Sequence, residues 1–241
     1  MSNILEICQE VASLVATQKP TDLFDTDNQQ SAIFLSIAKD TLDSLRRYGD
    51  WQEITKEGRL KVVPNKSVYR IADFCPDFYA LMPNTIYVKD TAEKTIGSIT
   101  PEQWMRDRFF NGGSSDLQFK IQNNCIRFLN SPQQKCTIVF YYRSAVIALN
   151  GEESCCCAEE KTTLTANTDI PVFDEYLVKL GIIWRWYKRN GMPYEEELNE
   201  YEREVKSKFS NGLCMNDIRL GRLISEEWRN VYVITNSQQT K

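Results

Sequence analysis

Three adjacent cysteines, Cys155-Cys156-Cys157, are the residues of this chain that most invite a chemical role. Thiolates bind zinc, but zinc sites space their ligands by two to four residues so that one tetrahedron can close. Three thiols in a row cannot all face one ion without strain, and no second cluster lies near them in sequence. The run sits in the polar stretch NGEESCCCAEEKTTLTANTD and reads as a loop that binds nothing. Cys8, Cys75, Cys125, Cys136 and Cys214 show no CxxC spacing, and in a reducing cytosol they act as small hydrophobes. Glu195-Glu196-Glu197 offers carboxylates, and glycosidases do work with two of them. Acidic side chains at the start of a helix are, however, placed there by the macrodipole alone. Aromatic and basic residues interleave in WRWYKR (184–189), as on a base-stacking surface. Yet Trp184 and Tyr187 belong to an apolar stripe, so this segment is core or interface.

The chain has no histidine. That removes the usual general base, the Cys–His and Ser–His dyads and the commonest transition-metal ligand. No P-loop, GxGxxG, HExxH or GxSxG pattern occurs. No catalytic residue, cofactor or metal is therefore expected. The other classes kept open are a tail-associated, carboxylate-dependent cell-wall hydrolase and a cysteine-based metal-binding module.

The elements that would position these residues centre on Ile170 to Gly212, which reads as two helices joined by a short corner. In the first, Pro171 suits the opening position and Asn190-Gly191 the close. Phe173, Leu177, Leu180, Trp184 and Tyr187 form one apolar face, and Val178, Ile182 and Trp186 form a second. The second helix, opened by Pro193 and closed by Asn211-Gly212, has a single stripe of Tyr194, Leu198, Tyr201, Val205 and Phe209. Residues 3–17 and 28–47 supply two N-terminal helices. From Trp51 the pattern changes to short runs rich in Val, Ile, Tyr and Phe, broken by Gly, Asn and Pro, which predict an antiparallel sheet or small sandwich. CTIVFYYRSAVIAL (136–149) is so nearly continuous in apolar residues that a strand covered on both sides is expected. The predicted fold class is α+β. It comprises an antiparallel helical bundle made from N- and C-terminal helices (1–50 and 170–212), an inserted β-rich domain (51–169) and an extended C-terminal arm (213–241).

At 241 residues the chain has ample material for a core, and its 29 basic and 33 acidic residues give a net charge of −4. That balance argues against a protein built to grip phosphate backbones. No run approaches the roughly 18 apolar residues of a membrane span, and MSNILEICQEVASLVATQ reads as an amphipathic helix, not a leader.

The order of these pieces resembles the head-to-tail connector adaptor proteins of tailed bacteriophages, also known as tail tubular or neck proteins. The resemblance is carried by the opening helix ILEICQEVASLV, the second helix ending in RRYGDWQEI, VYRIADFCPDFYALMPNTIYV with the FYYRS strand, and the pair DEYLVKLGIIWRWYKRNGMPYEEELNEYEREV. It implies a structural virion protein of the neck or tail, made in the host cytoplasm. Such a protein forms a homo-oligomeric ring of roughly twelve copies, joining the portal protein to the tail nozzle or tail tube, with DNA passing through the channel without specific binding. A helix apolar on two faces suits a subunit packed on both sides, which makes Val178, Ile182 and Trp186 interface candidates. In the C-terminal arm, Leu220, Leu223, Ile224 and Trp228 give a short amphipathic face. Val231, Val233 and Ile234 could add a strand to a neighbour's sheet. Of these, Leu223, Trp228, Val231 and Val233 are the arm's interface candidates.

Overall fold

The computed structural model describes residues 2–25, 27–89, 96–97, 100–110, 118–130, 134–152 and 158–218, with the backbone alone for 96–97, 110 and 210–218. Two compact units divide the chain, Met1–Tyr201 and Glu202–Lys241.

In the first unit, helix α1 (Ile4–Leu14) starts where Asn3 and Glu6 form a reciprocal capping box. Helix α2 (Gln29–Tyr48) starts at Asn28, whose side chain accepts from Gln30 N and Ser31 N. Strand β1 (Thr55–Val62), β3 (Phe78–Leu81), β4 (Tyr87–Val88) and β8 (Cys136–Ser144) form one sheet, with β8 between β1 on one side and β3 and β4 on the other. A second sheet runs β2 (Val68–Arg70), β7 (Cys125–Phe128), β6 (Gln118–Gln122), β5 (Ile96–Gly97). All of its pairs are antiparallel except β5 with β6. The inward residues of the two sheets, Leu60, Ile138, Phe140 and Tyr142 from one and Tyr69, Phe119, Ile126 and Phe128 from the other, share one buried core. The strand-rich middle is thus a small sandwich. Helix α3 (Pro101–Phe110) interrupts it. A third, short sheet of β9 (Ala148–Leu149), β10 (Glu160–Lys161) and β11 (Ile170–Pro171) leads to α4 (Glu175–Arg189) and α5 (Glu195–Ile218).

The expected antiparallel helical bundle from the N- and C-terminal helices is not formed, and strands dominate the centre. Helix α4 does pack on both α1 and α2. But α1 has only 11 residues, roughly 16 Å of helix, and residues outside the helices contribute to the apolar packing. Trp51, just after α2, shows how: its indole N–H donates to Leu45 O at 2.7 Å while its ring meets Phe173 edge-on at 6.0 Å.

Several element ends also differ from expectation. Pro171 does not open α4; it pairs with Ala148 in β11, and Asp174 caps the helix by accepting from Tyr176 N and Leu177 N. Its close is as expected: Asn190 is the C-cap and Gly191 has φ +68°. Helix α5 does not stop at Asn211-Gly212 but continues to Ile218. A single glycine costs a helix only about 1 kcal/mol against alanine, which the flanking turns outweigh. The second unit is described only as far as that helix, where Lys206 pairs with Glu202 one turn earlier. Residues 111–116 (NGGSSD), Cys155-Cys156-Cys157 and the arm beyond Ile218, with Leu223, Trp228, Val231 and Val233, lie outside the described residues.

Candidate functional site

The strand expected to be covered on both faces is covered on one. Along β8, Ile138, Phe140, Tyr142 and Ser144 are buried, while Thr137, Val139, Tyr141 and Arg143 point outward. Tyr141 is 46% exposed. Register places Glu57, Arg59 and Lys61 of β1 opposite Tyr141, Val139 and Thr137, and Tyr87 of β4 opposite Val139 on its other side. Tyr87 is 43% exposed. Cross-strand and diagonal neighbours on one face lie within reach of aromatic side chains, so Tyr87, Val139 and Tyr141 form one patch.

A third tyrosine extends it. The pairing of β3 with β8 shifts between Phe78 and Ala80, and the extra residue, Tyr79, is exposed. Such a bulge re-aims one side chain without disturbing the rest of the strand. Phe78 still stacks inward on Tyr142 at 5.7 Å, while Tyr79 lies beneath the guanidinium groups of Arg46 at 4.6 Å and Arg143 at 5.9 Å. Both arginines are held: Arg46 donates to Ala145 O at 3.1 Å, and Arg143 to Asp50 Oδ1 at 2.7 Å. The result is an outward sheet face with tyrosines at its middle and arginines at its end, the residue types that dominate binding energy at protein interfaces.

Other constellations look more like chemistry and are structural. Asp77 accepts from Lys56 Nζ, Tyr142 Oη and Ser144 Oγ, each at 2.7 Å. Burial opposes ionisation of Asp77, but the hydrogen bonds from Lys56, Ser144 and Tyr142 outweigh it and hold its carboxyl below the ordinary range. Burial, and then donation to Asp77, pushes the Tyr142 phenol up. Ser144 Oγ also accepts from Val146 N, so its hydroxyl is fixed from both sides. This group staples β1, the approach to β3 and the end of β8, and it was missed in the sequence because its members lie up to 88 residues apart (Lys56 to Ser144). Asp169, fully buried, accepts from Lys161 Nζ at 2.6 Å, Thr165 N and Ala166 N, while its carbonyl takes the first free N–H of α1, from Ile4, at 2.8 Å.

The chain matches no family model and no curated protein. Among the described residues no helix is long and apolar enough to cross a membrane.

The structure places the sequence-predicted residues as follows. Val178 and Ile182 are fully buried and Trp186 is 8% exposed, all inside the subunit. The second apolar face of α4 is therefore used internally. Lys179 of the same helix pairs with Glu10 on α1, and Trp186 stacks on Phe34 of α2. The indole of Trp184 meets Tyr194 and Tyr201 at 6.3 and 6.2 Å, with the Arg185 guanidinium over its face at 4.3 Å. The aromatic residues of WRWYKR thus serve packing and are not laid out for bases. Glu195 and Glu196 are exposed in the first turn of α5, as the macrodipole favours. Cys8 and Cys75 are buried small side chains.

Proposed function

We propose that this chain is a structural virion subunit: an adaptor ring joining the portal to the tail tube or nozzle and lining the DNA exit channel. The observation that carries the proposal is the uncovered outer face of the first sheet. A strand as apolar as CTIVFYYRS, left open on one side with Tyr79, Tyr87 and Tyr141 exposed and arginines held beside them, is a surface suited to a protein partner. The order of elements, two helices before a strand-rich middle and two after it, supports the likeness to connector adaptors. In this role the chain carries no catalysis and no cofactor. Its partners are other copies of itself, the portal and the tail protein.

Negative-stain imaging and mass photometry of the purified chain, alone and with portal, test this. Closed rings seated on portal are expected. The double variant Tyr87→Glu, Tyr141→Glu should melt close to the parent yet lose the assembled species. A chain that stays monomeric with portal, or a variant that assembles as well as the parent, overturns it.

A further inference from the structure

Among the described residues, the outer face of the second sheet carries cations and no acid. Its outward positions are Val68 and Arg70 on β2, Cys125 and Arg127 on β7, and Gln118, Lys120 and Gln122 on β6, while Tyr69, Phe119, Ile126 and Phe128 turn into the core. None of these three strands contains Asp or Glu, in a chain whose net charge is −4. Register sets Lys120 directly opposite Arg127, and Arg127 opposite Val68. Arg70, two residues along β2 and opposite Cys125, lies diagonal to Arg127 on the same face. Like charges directly opposite across an antiparallel pair are destabilising, and an acid on the neighbouring strand is the ordinary remedy. None stands on these strands. Among the described residues neither the Arg70 nor the Arg127 side chain has an ion-pair or hydrogen-bond partner, and Arg127 Nε and Gln118 Oε1 are both buried without one. Lys120 holds its ammonium 4.3 Å from the ring centroid of Trp104. Exposed Lys66 rests in the same way over Tyr69 at 4.8 Å.

We infer that this face binds the phosphate backbone of nucleic acid without reading its sequence. Guanidinium groups are suited to phosphate oxygens because their planar fork offers paired donors. The cations are spread over three adjacent strands, each about 4.8 Å from the next, and none of them is in an ion pair among the described residues. Tyr69 and Trp104 are buried, so the face offers neither ring for stacking bases, and among its described side chains Val68 is the only exposed apolar one, too little to anchor a protein. Phosphates alone fit what remains. The inference is independent of the adaptor reading: a chain that forms rings but ignores DNA retains the first and loses the second, and a monomer that binds DNA does the reverse.

Fluorescence anisotropy of a short labelled duplex with the full chain, titrated between about 50 and 200 mM salt, tests it. Affinity should fall linearly on a log–log plot, with a slope of about −0.9 for each phosphate neutralised, and to the same extent for unrelated sequences. Arg70→Gln should reduce the slope by about 1, and so should Lys120→Gln. Arg70 is exposed, so its variant keeps the fold if Lys120→Gln does not, with thermal melting as the check. Absence of binding at the lowest salt overturns the inference. So does a slope unchanged in Arg70→Gln, or a preference for polyglutamate over the duplex.

Discussion

The indole of Trp186 on α4 lies flat on the ring of Phe34 on α2, with centroids 4.5 Å apart and planes 10° from parallel. Both side chains are buried, and the contact ties the N-terminal half of the sequence to the C-terminal half. Trp186→Ala or Phe34→Ala should each cost about 3–5 kcal/mol by loss of transfer energy and the cavity left behind. The double variant should lose less than the sum, by about 0.5–1.5 kcal/mol. Urea unfolding midpoints measure this, and strict additivity would show that the two rings do not interact.

Gly181 sets how closely α4 can approach α2. A Cβ built there would lie 2.3 Å from Thr41 Cγ2 and 3.2 Å from Tyr201 Cε2. Thr41 is fully buried and its hydroxyl is tied to Ile37 O at 2.8 Å, so it has little room to yield. Gly181→Ala is favourable for helix propensity by about 1 kcal/mol, yet overpacking costs about 1–3 kcal/mol. A net loss of stability is expected, read as a lower melting temperature. A variant as stable as the parent would show that the two helices can separate freely.

Asp77 makes stability depend on acid. Its carboxyl titrates below the ordinary 3.8 in the folded chain. Its contribution is therefore complete above about pH 3.8 and is lost as pH falls through the depressed folded value. Asp77→Asn should weaken the fold at neutral pH by about 1–3 kcal/mol, since hydrogen bonds from a charged donor are lost. It should also flatten the acid limb of a stability–pH curve. Parallel acid limbs for the two proteins would remove Asp77 as the cause.

Cys8 acts at the opposite end. Burial pushes its thiol from 9.0 to about 12. A thiol that stays neutral when folded but ionises when unfolded contributes stability in full below pH 9.0, and this is lost as pH rises toward 12. The loss runs at no more than about 1.4 kcal/mol per pH unit. Lysines and tyrosines titrate in the same range, so the readout is the difference between the parent and Cys8→Ala. The variant should lose stability more slowly above pH 9, and identical slopes would exclude Cys8.

Much of the local structure is written in local residues. Asn28 capping α2, Pro101 opening α3 and Asn190-Gly191 closing α4 are short-range signals that hold wherever the chain later packs. Pro171 misled because a better cap, Asp174, followed three residues later and β9 offered a pairing edge. Strand β3 is hard to read in the sequence because its run, FYAL, is short and follows the turn-like CPD. The tyrosine face was illegible for a different reason. Apolar density in CTIVFYYRS reports that both faces can be buried, not that the same chain buries both. In the same way, two apolar faces on α4 did not say whether the second belonged to a neighbour or, as found, to the subunit's own helices.

The docking of α1 has a consequence in time. Ser2 N donates to Glu175 across 173 residues of sequence, and Leu23 N, beyond the helix, to Asn167 across 144. During synthesis at about 5–20 residues per second, the first helix leaves the ribosome roughly 9–35 s before the segment that caps and covers it. Through that interval Ile4, Ile7, Val11 and Ala12 have no α4 to lie against. The nascent chain thus carries an uncovered greasy stripe until α4 emerges, a natural place for a chaperone to hold it.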